Sequence, residues 1–112
     1  MATQIYKKIR FYNKMDTMDG IPIEERGPIK ILINSSGGSL DASLSIISSI
    51  KISKTPVYTY NIGMACSGAF FILIAGHQRF GLPYTTYLYH EGSAGTYGDS
   101  HKFINFTNYY VG

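Results

Sequence analysis

Charge is scarce in this chain. Only 15% of its 112 residues are Asp, Glu, Lys or Arg, against roughly 25% in an ordinary soluble domain, while 45% are hydrophobic. Such a balance leaves more apolar surface than a monomer can cover, so contact with another subunit is expected. Cysteine is scarcer still: Cys66 is the sole one and cannot form an internal disulfide, which argues against a disulfide-stapled secreted scaffold. No charged-then-apolar leader precedes the first expected element, and the apolar run Ala69 to Ala75 falls far short of the roughly 20 residues that span a bilayer. The expectation is a cytoplasmic chain with no membrane partner. Clustered cations are missing as well. The formal charge of +3 is spread over Lys7, Lys8, Arg10, Lys14 and isolated positions, the solvated side of a helix rather than the basic stripe a nucleic-acid binder needs. His77 and His101 have no neighbouring ligand types at metal-binding spacing, so no metal is expected.

What remains is an alternation of helical and strand patterns. Ile5, Ile9 and Tyr12 recur about every four residues with lysines between them, which predicts an amphipathic helix over 3–15. Asp16 to Pro28 carries Gly20, Pro22, Gly27 and Pro28 among its charges and reads as loop. Ile29 to Ile33 is a short apolar run suited to a strand buried on both faces. Leu40, Leu44, Ile47 and Ile50 define one face of a helix capped by Ser39 and ending before Pro56. Val57 to Ile62 predicts the next strand, Gly63 to Cys66 a tight turn of small residues, and Ser67 to Ala75 a helix closed by Gly76. Gln78 to Leu82 and Thr86 to His90 predict two further strands, and Asp99 to Tyr110 a helix. The order βαβαββ has crossovers of the parallel-sheet kind. Tyr58, Tyr60, Tyr84, Tyr87 and Tyr89 read mainly as packing and interface residues.

Three short segments carry chemistry. Asn34-Ser35-Ser36-Gly37-Gly38-Ser39 ends a strand in a loop whose glycines allow close backbone approach. Gly63-Met64-Ala65-Cys66-Ser67-Gly68 places a serine at a strand-to-helix turn, where unpaired N–H groups of the first helical turn point outward. Tyr87-Leu88-Tyr89-His90 ends a strand in a histidine. Acyl transfer needs a nucleophile, a base and donors aimed at the developing oxyanion. Each segment has an ordinary reading of its own: a turn, an N-cap, a structural histidine. Cys66 beside the serine reads as a small buried residue under the turn, and Asp99 as a helix cap.

Taken together, the segments resemble the proteolytic subunit of the Clp protease, in the divergent branch found in Gram-positive bacteria and their phages. The similarity runs from about Gly20 to Gly98. Ile33-Asn34-Ser35-Ser36-Gly37-Gly38 resembles the family's Ile-Asn-Ser-Pro-Gly-Gly loop, Gly63-Met64-Ala65-Cys66-Ser67-Gly68 its Gly-Met-Ala-Ala-Ser-Met segment, and Arg79-Phe80-Gly81-Leu82-Pro83 precedes His90 at the family distance. The resemblance implies an α/β fold, a partial spiral of ββα units with a parallel core sheet, shared with crotonases. It implies a serine endopeptidase with Ser67 as nucleophile, His90 as base, and the N–H groups of Gly38 and Gly68 as oxyanion donors. Gly37, Gly92, Ser93, Ala94 and Gly95 fall where the family holds extended substrate by strand addition. The implied partners are copies of the chain in a ring, unfolded polypeptide substrates and an ATPase ring of the AAA+ unfoldase class. No cofactor belongs to the chain itself, ATP being used by that partner.

The sequence departs from the family pattern at Ser36 for proline, Gly68 for methionine, Glu91-Gly92 for Gln-Pro, and in a shorter connection from Gly76 to Arg79. By the resemblance, residues 1–112 form a single incomplete peptidase domain, truncated at both ends. The family's orienting aspartate, far beyond the histidine, has no counterpart, and its handle helix would begin near Asp99. Two alternatives stay open: a catalytically inactive remnant or structural ring subunit, and an acyl-thioester binder of the crotonase kind.

Overall fold

The computed structural model describes residues 2–90 and 101–104. Helix α1 (Ala2–Met18) comes first, followed by strand β1 (Ile29–Ser35), helix α2 (Leu40–Ile52), strand β2 (Val57–Cys66), helix α3 (Gly68–Ala75) and strands β3 (Gln78–Gly81), β4 (Thr86–His90) and β5 (His101–Ile104). The expected βαβαββ order is present from β1 to β4. Within 16–28 the chain is not all loop: α1 extends to Met18 and Ile23–Glu25 forms a 3-10 turn. Gly20, at φ +70°, stops α1. Its N–H bonds to Thr17 O and the Ile21 N–H reaches back to Asp16 O, a pair of bonds that occupies the last helical carbonyls and calls for a left-handed residue at this position.

Among the described residues all strand pairs but one are parallel. β2 is central, with β1 on one edge and both β3 and β4 on the other, while β5 pairs antiparallel with β4. Two parallel crossovers advancing in the same direction carry α2 and α3 to the same face. Among the described residues no helix lies on the opposite face, which corrects the expectation that β1 is buried on both sides: Ile33 points into the core while Leu32 is 62% exposed. β1 alternates because helices cover only one of its faces.

The core has two parts under those helices. Ile9, Ile46, Ile50, Val57 and Ala75 pack where α1 and α2 meet the start of β2. Ile33, Ala65, Ala69, Leu73 and Tyr87 pack where α3 lies over β1, β2 and β4. Ser39 caps α2, its Oγ accepting the Ala42 N–H at 3.3 Å. The buried face of that helix, however, is Ser43, Ile46 and Ile50, and Leu40 and Leu44 are 60% and 50% exposed. The helix is rotated from the apolar stripe because its small residue, Ser43, faces α3 at close approach. α1 is tied to the turn after α2 by Asn13, which donates to Ser53 Oγ and accepts the N–H groups of Lys54 and Thr55.

Two further expectations change. Gly63 to Cys66 does not turn but continues β2. Residues 101–104 are a strand rather than part of a helix, because their backbone completes the free edge of β4, with His101 opposite His90 and Ile104 opposite Tyr87. The rest of the helix expected over Asp99 to Tyr110 lies outside the described residues.

Candidate active site

β2 runs straight into Ser67, and Ser67 turns the chain into α3. The turn is abrupt. Ser67 has φ +55° and ψ −121°, a conformation that costs a non-glycine residue of order 1–3 kcal/mol and persists only where the surroundings hold it. Its N–H donates to Leu88 O of β4 at 2.8 Å, and its carbonyl accepts the N–H groups of Phe70 and Phe71 at 2.9 and 3.3 Å. Beneath it, Ala69 and Leu73 of α3 lock into the second core cluster. The elbow is therefore pinned from a strand on one side and a helix on the other. Unlike Ser39, Ser67 makes no side-chain cap bond to its helix. The N-cap reading of this serine is set aside, and its Oγ is left at the mouth of a strand–turn–helix junction, the arrangement of a nucleophile elbow.

The loop after β1 comes up against this elbow. Gly37 has φ +115°, and a Cβ built on it would lie 3.0 Å from Cys66 O and 3.1 Å from Ser67 Cβ. Only glycine satisfies both the backbone angle and the approach. Ser35 Oγ holds the loop by accepting the Gly37 N–H at 3.0 Å. A Cβ at Gly38, by contrast, would meet nothing within 4 Å, so the space beside its Cα is open. Gly68 is buried, and a Cβ there would collide with Ser43 Oγ and lie 3.3 Å from Ser43 Cβ and 3.8 Å from Gly38 O. The two glycines expected as oxyanion donors are thus brought to within a few ångströms of one another. Ser43 thus crowds position 68 and favours glycine there, where the family pattern has methionine.

β4 brings the third segment alongside. Met64, Ala65 and Cys66 pair with Thr86, Tyr87 and Leu88, so His90 sits two residues past Leu88, whose carbonyl holds the Ser67 N–H. Sequence positions 67 and 90 meet at the same end of adjacent parallel strands. Gly92, Ser93, Ala94 and Gly95 lie outside the described residues, as does Asp99.

Cys66 is buried at 6% exposure. Burial pushes its thiol up from the ordinary value, a hydrogen bond with the Leu88 backbone pulling the other way. A thiol so held stays protonated near neutral pH and is a poor nucleophile. His77 is exposed but engaged: its Nδ1 accepts the Val57 N–H at 2.9 Å and its backbone N–H donates to Val57 O at 2.8 Å. Among the described residues no group of three or more His, Cys, Asp or Glu could hold a metal ion, and no helix is long and apolar enough to cross a membrane.

Beside the loop lies a cavity of about 400 Å³ lined by Ile33, Gly37, Gly38, Ser39, Ser43 and Ala69, among others. A larger one, about 660 Å³, runs between α1 and β1 and contains none of the expected site residues. Size does not single out the expected site, because Ser67 and Gly68 lie at the elbow and line neither cavity.

Residues 4–109 match the Clp protease family. The ATP-dependent Clp protease proteolytic subunit 2 of Treponema denticola is 42% identical over 73 residues, 63% of this chain and 36% of that protein. The subunit 2 of Borreliella burgdorferi is 33% identical over 112 residues, 96% of this chain and 56% of that protein. Among solved structures, a mutant ClpP1 from Listeria monocytogenes superposes with a TM-score of 0.69 at 28% identity, covering 84% of this chain and 51% of that one. The chain thus spans between about a third and somewhat more than half of these relatives' lengths.

Proposed function

Because the chain belongs to the Clp protease family, we propose that it carries the acyl-transfer half-site of a Clp-type serine endopeptidase. The observation that supports this most is the elbow itself: a strained serine, free of capping duty, with Gly37 pressed against it and Gly68 opening the helix behind it. A strained backbone held in place by its surroundings is a mark of functional positions.

In this reading Ser67 Oγ attacks the carbonyl carbon of a peptide bond while His90 takes the hydroxyl proton. The carbonyl oxygen becomes an oxyanion and receives the N–H groups of Gly68 and Gly38. Each such donor is worth on the order of 10²–10³ in rate, because it is aimed before charge develops and needs no reorganisation. The tetrahedral species collapses with loss of the amine, which leaves with the proton held by His90. Water then attacks the acyl ester, giving up a proton to His90, and Ser67 is restored. Gly37 and residues 92–95 hold the substrate backbone in extended form. The substrate is unfolded polypeptide and the working particle a ring of copies, fed by an ATP-hydrolysing unfoldase. Leu32, Leu40, Leu44 and Ile52, each half exposed or more on the isolated chain, are consistent with burial against further subunits.

The test is intact-mass analysis after treatment with a fluorophosphonate probe. The expected result is formation of one adduct, absent in Ser67→Ala, since removing the nucleophile removes the atom the probe captures. An adduct that persists in Ser67→Ala rejects Ser67 as the nucleophile. No adduct at all on folded protein rejects the half-site and leaves a structural ring subunit.

A further inference from the structure

We infer that Asn61 is a positioning residue that sets the register between the strand bearing Ser67 and the strand bearing His90. The inference deepens the proposed function and rests on it for the roles of those two residues. β2 is not a uniform strand. Ile33 pairs with Asn61 but Ser35 pairs with Ala65, so four steps of β2 run opposite two of β1 and a bulge falls over Ile62 to Met64. On its other edge β2 changes neighbours at the same place: β3 pairing ends at Asn61 opposite Gly81, and β4 pairing begins at Met64 opposite Thr86.

A central strand that loses its ladder at this point leaves backbone groups without partners, and such groups are costly when buried. Asn61 fills the gap. It is fully buried; its Oδ1 accepts the Gly63 N–H at 3.0 Å and its Nδ2 donates to Thr86 O at 3.1 Å. Only one orientation of the amide serves both partners, one a donor and the other an acceptor. The Asn61 carbonyl also accepts the Leu82 N–H at 3.1 Å, and Thr85 Oγ1 closes the intervening turn onto Leu82 O. One side chain therefore joins β2 to β4 where β3 gives way. Gly63 lies four residues before Ser67 and Thr86 four before His90, so each tie acts at an equal distance up its own strand.

On β1, Asn34 makes a second tie across the bulge, its Oδ1 accepting the Met64 N–H at 3.2 Å. A Cβ at Gly63 would overlap that amide. The two asparagines brace the bulge from both edges, but only Asn61 reaches β4.

Amide hydrogen exchange on the isotopically labelled chain tests this without depending on catalysis. Replacing Asn61 by Cys keeps a small buried side chain and removes both bonds. Exchange at Ser67, whose N–H is held by Leu88 O, is expected to quicken about ten- to hundredfold, the range for leaving buried partners unpaired. Ile31 and Thr59, upstream of the bulge, are expected to keep their protection. Unchanged exchange at Ser67 overturns the inference. So does an equal rise at Ile31 and Thr59, which would make Asn61 a general stability residue. Should Asn61→Cys fail to fold, the unaltered chain decides: the Asn61 side-chain NH₂ protons are expected to share the protection of the Ser67 N–H, and free exchange of that NH₂ overturns the inference. Failure of fluorophosphonate labelling, by contrast, rejects the acyl-transfer reading and leaves these exchange results as they stand.

Discussion

Replacing Gly68 by alanine should destabilise the protein through a single neighbour. The new Cβ would overlap Ser43 Oγ and stand 3.3 Å from Ser43 Cβ. Ser43 is buried at 5% exposure, and its Oγ donates to Ser39 O at 3.1 Å, so it can yield only by giving up that bond, about 1 kcal/mol, or by moving α2 away from α3. Overpacking of this kind costs about 1–3 kcal/mol. Either response, about 1–3 kcal/mol, is a sizeable part of the 5–15 kcal/mol that holds a domain together. With no tryptophan and ten tyrosines, urea unfolding is best followed by tyrosine emission and far-ultraviolet circular dichroism together. At a slope near 1–1.5 kcal/mol per molar urea, the midpoint should fall by about 1–2 M. The diagnostic variant is the double one. Ser43→Ala removes the Oγ, so Gly68→Ala in that background should cost less than in the parent by about 1–2 kcal/mol, a coupling typical of residues in contact. Strict additivity, or a single-variant cost below about 1 kcal/mol, would refute the argument that Ser43 makes position 68 a glycine site.

Three more outcomes follow from the same geometry. Ser67→Gly should raise the unfolding midpoint while Ser67→Ala does not, because only glycine relieves φ +55° at a cost otherwise of order 1–3 kcal/mol; equal effects would remove strain from the description of the elbow. Thr59→Val should cost about 1–2 kcal/mol, since the buried Thr59 Oγ1 donates to Leu73 O at 2.6 Å near the end of α3, and an unchanged midpoint would show that bond to be idle. The Cys66 thiol, raised by burial above its ordinary value of 9.0, holds its proton more tightly folded than unfolded. Its contribution is therefore full below the unfolded value and is lost as pH rises through the higher folded one. The stability of the parent should decline more steeply than that of Cys66→Ala at alkaline pH, measured as paired urea midpoints, and parallel curves would contradict it.

Local chemistry was legible in the sequence wherever it depends on near neighbours. The strand and helix order from β1 to β4, the Ser39 cap and the break at Gly20 follow from periodicity, side-chain oxygens and backbone freedom, all of which act over a few residues. The same holds for the placement of a serine at a strand-to-helix junction and of a histidine at a strand end. Long-range packing was not legible. Leu40 and Leu44 mark a stripe that looks like the buried face of α2, yet Ser43 is buried instead, because how closely two helices approach is decided by the partner helix and not by the stripe. Gly63 to Cys66 looks like a turn because its residues are small. It is strand, with Gly63 small because the Asn34 amide lies across it.

By itself the sequence determined which residues the chain could offer as nucleophile, base and donors, and in what order, since these depend on residue type and spacing. Only the tertiary structure decided how they meet: Gly37 against Ser67, Gly68 against Ser43, and β4 beside the elbow after β3 ends at Asn61. Those contacts join segments far apart along the chain, and a bulge of two residues in β2 selects among them. No pattern within a segment encodes which neighbour a strand will take, because that choice is set by burial and backbone pairing across the whole sheet.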